Sequence, residues 1–394
     1  MRTVALLLSL LLFCLAGCDA RVDQFDPNQV YSLTLATSRG VETQNVTTDV
    51  DAIVQSLFGT PEKPIWPRDI LGSSEADTLV SDDDLKRSAG PVMSDREGTN
   101  FGLFNKHCVN CHGLNGSGAG PASMLQNPYP RDFRAGIFKW KSTVRGAKPT
   151  RSDLTDVLHC GIRGTAMPSF STLSEEDIGA LTGYVIYLSV RGESERRLMA
   201  AAVDDLGYDD EDMTTAERLT VDSSIAQSTI RTVVDSWLDA KTKIVAAENE
   251  TVNDAQSIQR GKDIFHGQVA NCVGCHGTGG NGNTVLFDFD DWTKEYSSRI
   301  GVTPTDREAM KPFRKAGAHR PRKMTPRNLT EGVFRGGGEA ETLFRRINQG
   351  IAGTPMPSVS ITAEPSKTGL SRDQAWDLVH YVQSLRLQTP KSEE

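Results

Sequence analysis

The sequence predicts a mainly helical protein in which one unit occurs twice, with a further helical segment between the copies. Three observations predict this. The two halves of the 394-residue chain align over a run of matched glycines, aromatics and Met-Pro pairs. Both halves close on a helix: Ser174 with Asp177, and Ser371 with Gln374, form capping pairs at its start. Leu181, Tyr184, Val185 and Leu188 then follow at helical spacing, as do Leu378, Tyr381, Val382 and Leu385. Between the halves, Ile225, Ile230, Val233, Val234, Trp237 and Leu238 lie on one face of a third helical pattern.

Each copy is built around the same pentapeptide. Residues 108–112 read Cys-Val-Asn-Cys-His and residues 272–276 read Cys-Val-Gly-Cys-His. This is the attachment sequence for c-type haem. Two thiols separated by two residues add across the two vinyl groups, and the adjacent histidine reaches the iron. Phe101 and Phe104 lead into the first motif, and Ile264 and Phe265 into the second. Gly113, Gly116, Gly118 and Gly120 follow the first, and Gly277, Gly279, Gly280 and Gly282 the second. Residues 130–138 then match residues 326–334, with Arg131 and Arg327 at equivalent places. Three other readings compete. A thioredoxin-like dithiol would sit in a βαβ pattern, which neither site has. A zinc ribbon needs its Cys-x-x-Cys pairs close in sequence. Two disulfides would suit an exported protein but leave His112 and His276 without a purpose.

Residues 159–169 parallel residues 348–358, which places Met167-Pro168 and Met356-Pro357 in the same Gly-Thr turn. A lone methionine usually fills a core, but the matched context makes Met167 and Met356 the expected second axial ligands. A thioether is soft and neutral and raises the potential of a His-ligated haem. Prolines after them stiffen the loop that presents the sulfur. Met124, Met310 and Met324 have no counterpart in the other copy. His159 aligns with Asn348, and His107 adjoins Cys108, so neither is expected on iron.

The N-terminus indicates export. Arg2 precedes the apolar run Val4–Ala16, too short to span a bilayer comfortably and shaped like a secretory signal. Leu15-Ala16-Gly17-Cys18 resembles a bacterial lipobox, which implies lipid on Cys18 and a membrane tether on the periplasmic side; an ordinary cleaved signal is the other reading. Of the seven cysteines, Cys14 would leave with the signal, Cys18 would take lipid and four would take haem. Cys160 remains, expected as a small buried hydrophobe. Export argues against nucleic-acid partners, and a net charge of −8 says little beyond solubility.

Each half resembles a class I cytochrome c domain over residues 96–192 and 256–388. That family fold is all-α: a first helix, the haem-attachment turn, loops over the haem, a Met-ligand loop and a last helix crossing the first. The resemblance implies two covalently bound haem c groups. Their thioethers would run to Cys108, Cys111, Cys272 and Cys275, and their axial ligands would be His112 with Met167 and His276 with Met356. It also implies a small residue on the first helix packed near an aromatic on the last. Gly98 or Gly102 with Tyr184, and Gly261 with Tyr381, fill those places. The second half carries an insertion of about thirty residues with a basic run from Arg299 to Arg327. This is either a solvated loop or a cation source for haem propionates or an acidic partner. Arg131 and Arg327 are the candidates for propionate or loop-anchoring contacts.

The expected organisation is therefore a signal over 1–18, an extension over 19–95 that is part tether and part packed, domain 1 over 96–192, an acidic and helical linker over 193–255, domain 2 over 256–388, and a tail over 389–394. A His/Met haem has no open iron position, so the expected function is single-electron transfer between periplasmic or membrane redox partners in a respiratory chain. The alternatives are a dihaem peroxidase-type enzyme, in which one iron opens to peroxide, and a fixed electron-transfer subunit of a larger membrane oxidoreductase.

Overall fold

A computed structural model describes residues 24–72, 75–92, 102–208, 213–214, 217–284 and 288–386. The signal segment with Cys14 and Cys18, together with Gly98, Phe101 and the tail, lies outside these residues. The fold is all-α. Among the described residues strand is confined to two-residue pieces: β1 (Asp288–Phe289) runs antiparallel to β2 (Lys323–Met324), and β3 (Ser360–Ile361) parallel to β4 (Gly369–Leu370).

Most of the described extension is folded. The helix α1 (Gln29–Arg39) starts where the Asn28 side chain accepts from the Tyr31 amide and stops at Gly40, φ 72°. The amphipathic α2 (Gln44–Phe58) buries Val46, Val50, Ile53, Val54 and Phe58. After the single turn α3 (Arg68–Leu71) comes α4 (Asp82–Ser88). The acidic patch Asp82–Asp84 is the first turn of α4, where carboxylates meet the positive helix end and Ser81 and Asp84 close a capping box.

The first haem-attachment motif follows α5 (Leu103–His107): Cys108 lies between it and α6 (Val109–His112), which carries the rest. Next, α7 (Arg151–Cys160) leads to the Met167 turn and leaves Cys160 exposed, contrary to the expected burial. The helix α8 (Glu175–Asp204) begins at the predicted Ser174 cap but runs 30 residues, past the expected boundary at 192 without a break. Residues 191–195 carry Arg191, Glu193 and Glu195, side chains of a kind that is rarely buried without partners. All three are buried and partnered. Glu195 accepts from the Asn28 amide at 2.6 Å and lies 3.6 Å from Arg191, while Lys148 pairs with Glu193. Arg191 also rests 4.4 Å over the Phe25 ring. Because the extension folds over α8 at this point, the charges are enclosed rather than solvated.

The linker helix α9 (Ser224–Leu238) buries Ile230, Val233, Val234 and Trp237 on its predicted face. One hydrophobic core, from Phe25 to Trp237, joins extension, first repeat and linker. A second core holds the second repeat, formed by α10 (Ala255–His266), α11 (Cys272–His276), α12 (Asp291–Glu295), α13 (Lys311–Lys315), α14 (Ala340–Gln349) and α15 (Arg372–Leu385). Tyr296, Met310 and Phe313 of the insertion form a third small cluster against Val30 and Leu33 of α1.

The helix crossings differ between repeats. In the second, Gly261 of α10 meets α15 so closely that a Cβ would overlap the Asp377 carbonyl oxygen and lie 2.8 Å from Tyr381 Cβ. The expected Gly261–Tyr381 approach is present. In the first, Gly102 faces the Pro91 carbonyl instead. The close approach there is made by Gly183 of α8 against Asp84 of α4. Phe104 and Phe265 pack on Tyr184 and Tyr381 with ring centroids 5.0 and 5.3 Å apart.

A buried polar knot fixes the second crossing. Ser257 Oγ lies 2.6 Å from Asp377 Oδ1 and 2.7 Å from His380 Nδ1, and Arg260 donates to Asp377 at 2.7 Å. Ser257→Ala would leave the buried His380 Nδ1 unpaired while Asp377 keeps its bonds from Arg260, so denaturant unfolding is expected to show a loss of about 1–3 kcal/mol. An unchanged stability would mean that water replaces the hydroxyl.

Candidate haem-binding site

The two attachment motifs sit in hydrogen-bond frames that match position for position. Gly118 N donates to His112 O at 2.8 Å, and Gly282 N to His276 O at 2.9 Å. Phe133 N donates to Gly116 O, and Leu329 N to Gly280 O, both at 2.7 Å. Gly118 and Gly282 show why glycine is needed: φ is 73° and 69°, and a Cβ would lie 2.6 Å from the Pro130 or Pro326 carbonyl oxygen.

These frames orient the histidines. His112 Nδ1 lies 3.0 Å from Arg131 O, and His276 Nδ1 lies 3.0 Å from Arg327 O. A carbonyl can only accept, so Nδ1 carries the proton and Nε2 keeps its lone pair. Burial lowers the His112 pKa to about 4, and burial lowers that of His276 as well. Both rings are thus neutral, the form that binds iron. His112 also stacks on Phe133, centroids 4.6 Å apart. No disulfide joins any of the five described cysteines, and burial pushes the Cys108 and Cys272 thiols up to about 12.

The methionine turns are equally alike. Thr165 Oγ donates to Ile162 O at 2.7 Å and accepts from Met167 N at 3.1 Å. Thr354 Oγ repeats this with Ile351 O at 2.9 Å and Met356 N at 3.2 Å. Each threonine therefore pins the methionine backbone, a role that the sequence marked only as a Gly-Thr turn.

One apolar cavity of about 560 Å³ brings the predicted residues of both repeats together. Cys108, Cys111, His112 and Met167 of the first repeat line it together with Cys272, Cys275, His276 and Met356 of the second. His107 also reaches its wall, its ring 5.8 Å from Phe170. A second, more polar cavity of about 610 Å³ adjoins it, and Arg131, Lys139, Arg327 and Arg335 line both.

Those four cations form two repeat-equivalent pairs, since Lys139 and Arg335 each follow the matched Phe138 and Phe334. Extending the repeat by one residue would have found the second pair. Arg131 lies 3.5 Å over the Trp292 ring, and burial lowers its pKa to about 10. Burial, then Arg131, brings Lys139 down to about 7, against the pull of Asp290. The Nε of Arg335 is buried with no hydrogen-bond partner. Arg327 is engaged differently, donating to Val333 O at 3.0 Å and pairing with Glu331 at 2.8 Å, so it anchors its own loop. Thiols, neutral imidazoles and thioethers around an apolar space, with under-neutralised cations at its rim, fit c-type haem and its carboxylates.

The basic insertion docks on the first repeat through His319 and Arg322, while Arg299, Arg307, Lys311, Arg314, Lys315, Arg320 and Lys323 stay exposed. His319 Nε2 meets Gly118 O at 2.9 Å and stacks on Tyr129, and Arg322 lies 3.8 Å over the same tyrosine. Trp292 bridges Arg131 to Gly353 of the Met356 turn. Among the described residues, no cluster of three His, Cys, Asp or Glu side chains gathers as a free-ion site, and no helix is long and apolar enough to cross a membrane.

The cytochrome c family model matches residues 101–189 and 258–386, more than half of the chain. The chain belongs to the cytochrome c family. Both matched stretches carry the attachment motif and the methionine turn, so this is a tandem cytochrome c, and its domains imply covalent haem c and haem-based electron transfer. No curated protein matches the chain. Among solved structures it is similar to a chain of the Kuenenia stuttgartiensis reducing HAO-like protein complex, at 23% identity over 75% of this chain and 98% of that one, with a TM-score of 0.47.

Proposed function

We propose that this tandem cytochrome c is a dihaem electron carrier, exported and held to a bacterial membrane by lipid on Cys18, that passes single electrons between redox protein partners of a respiratory chain. The observation that carries the reading is the pair of matching His and Met frames opening on one cavity. In this reading Cys108 and Cys111 tether one haem, with His112 and Met167 as its axial ligands. Cys272 and Cys275 tether the other, with His276 and Met356. Haem ligated by His and Met cycles between ferric and ferrous iron with both axial positions filled. The chain's own residues do the rest. Arg131 O and Arg327 O fix the imidazoles, Thr165 and Thr354 hold the thioether loops, and Arg131, Lys139 and Arg335 receive carboxylate charge. Both donor sets line one apolar cavity, which would screen groups held there from bulk solvent.

The test is reaction of the reduced protein with a one-electron protein oxidant and, separately, with peroxide. Rapid oxidation by the first and no catalytic turnover of the second are expected. Peroxide turnover with high-spin iron would establish the peroxidase-type reading instead.

Lys139 gives the reading a charge signature. A nearby positive charge favours ferrous iron, which carries one unit less charge, so midpoints are higher while Lys139 is protonated. The protein's own groups set its pKa at about 7, and haem carboxylates beside it move that upward. Midpoints are therefore expected to fall as pH rises through that pKa. Lys139→Gln should lower one or both by about 60 mV on the acid side, a tenfold change in a one-electron equilibrium, and flatten the slope there. Midpoints identical to wild type would remove Lys139 from the haem environment.

A further inference from the structure

The two methionine turns differ in one respect that their matched sequences hide. Met167 O accepts from Ile162 N of its own turn at 3.1 Å. Met356 O accepts the equivalent bond from Ile351 N at 3.3 Å, and also a bond from the other domain: Arg145 Nη1 donates to it at 2.9 Å. Arg145 Nη2 reaches Thr354 O at 3.3 Å, and the Arg145 amide meets Gln349 Oε1 at 3.2 Å. The guanidinium sits where a Cβ on Gly350 would lie 2.5 Å from Nη1. A planar fork thus spans the turn on both sides of Pro355.

The segment presenting Arg145 is itself fixed. Lys141 Nζ donates to Val144 O at 2.7 Å and to Arg145 O at 2.9 Å. Val144 N bonds Lys243 O, and Val245 N bonds Ser142 O, both at 2.9 Å, tying the loop to the linker. On the other flank, Trp292 closes over Gly353. Charge-assisted bonds from a preorganised guanidinium are the stronger kind.

We propose that Arg145, a residue of the first domain, is a positioning residue for Met356 at the second iron, so that sixth-ligand strength there depends on the two domains staying docked. This rests on the reading of Met356 as an axial ligand. A break in the Arg145 contact would loosen one iron of the two and leave the Met167 site as it was.

The experiment compares oxidised holoprotein of the wild type, Arg145→Ala, Arg145→Lys, Arg322→Ala and Met356→Ala, each checked for haem content and helicity. The readouts are the weak red absorption of Met-ligated ferric haem and titration with imidazole as a competing ligand. Arg145→Ala should lose about half of that band and bind imidazole about tenfold tighter at one haem. Arg145→Lys, which keeps the charge but not the fork, should fall between. Arg322→Ala, which removes a cation from the same interface at Tyr129 and Gln126 without touching the Met356 turn or undocking the domains, should match wild type. The proposal is overturned if Arg145→Ala matches wild type, or if Arg322→Ala produces the same loss. If Met356→Ala leaves the band intact, the ligand assignment itself fails, and the proposal with it. If Met356→Ala removes half and Arg145→Ala removes none, only the role of Arg145 fails. Should Arg145→Ala not fold, Arg145→Lys alone decides: a band and imidazole affinity equal to wild type overturn the proposal.

Discussion

Replacing Cys272 and Cys275 together with alanine is expected to halve the covalent haem of the chain and unfold the second domain, leaving the first folded and loaded. The argument starts from size. The second domain's core is small: Phe265, Phe344, Trp376 and Tyr381 with a handful of aliphatic residues. A domain of this size is marginal without a further apolar centre. Cys272, His276, Leu329, Phe334 and Met356 face the shared cavity, so what fills that space completes the core. The first domain shares its core with the extension and α9, from Phe25 to Trp237, and is better supported. The check is haem per chain with thermal unfolding followed by helicity. One haem and loss of one of two transitions are expected; two retained haems would contradict the assignment.

The next largest effect belongs to Gly261→Ala. The added methyl would enter the Asp377 carbonyl oxygen at the crossing of α10 and α15. The Asp377 carbonyl is backbone, held by the Ser257–Asp377–His380 knot, and Tyr381 Cβ is bonded directly to the same helix, so neither can yield by a side-chain rotation. Alanine's better helix propensity returns about 1 kcal/mol at most. Separating two packed helices costs about 3 kcal/mol or more, and the second-domain transition should drop by roughly 10 °C. Gly183→Ala should cost less, because the groups met there belong to the Asp84 side chain. Equal losses at the two sites would mean that the crossings are equivalent after all.

The sequence made the repeat legible because both copies keep glycines where φ is positive and threonines where the methionine turn needs them. The terminal helices and the linker face were legible for the same reason: caps and apolar periodicity act locally. What escaped was long-range. The burial of residues 191–195 is not legible until the partners of Arg191, Glu193 and Glu195 are known, and those partners come from as far away as Asn28. The extension reads as part tether and part packed: α3 and α4 are short, and the apolar face of the longer α2 is completed by the distant α8. The basic run left a solvated loop and a cation source both open, and its contact with the first repeat was not legible because it depends on Tyr129, Gln126 and Gly118 of that repeat. Arg145 carries no local signal at all, since its bonds to Thr354 and Met356 cross 209 and 211 residues. Cys160, flanked by apolar residues, was misread because its helix turns that position outward.

The most direct test of two saturated, electron-carrying irons in one cavity is a spectroelectrochemical titration of the full-length protein. Two one-electron steps are expected, with low-spin spectra in both oxidation states and a Met-ligation band that disappears in proportion as both irons are reduced. A single step from one haem, or a ferric high-spin iron that persists through the titration, would contradict the account.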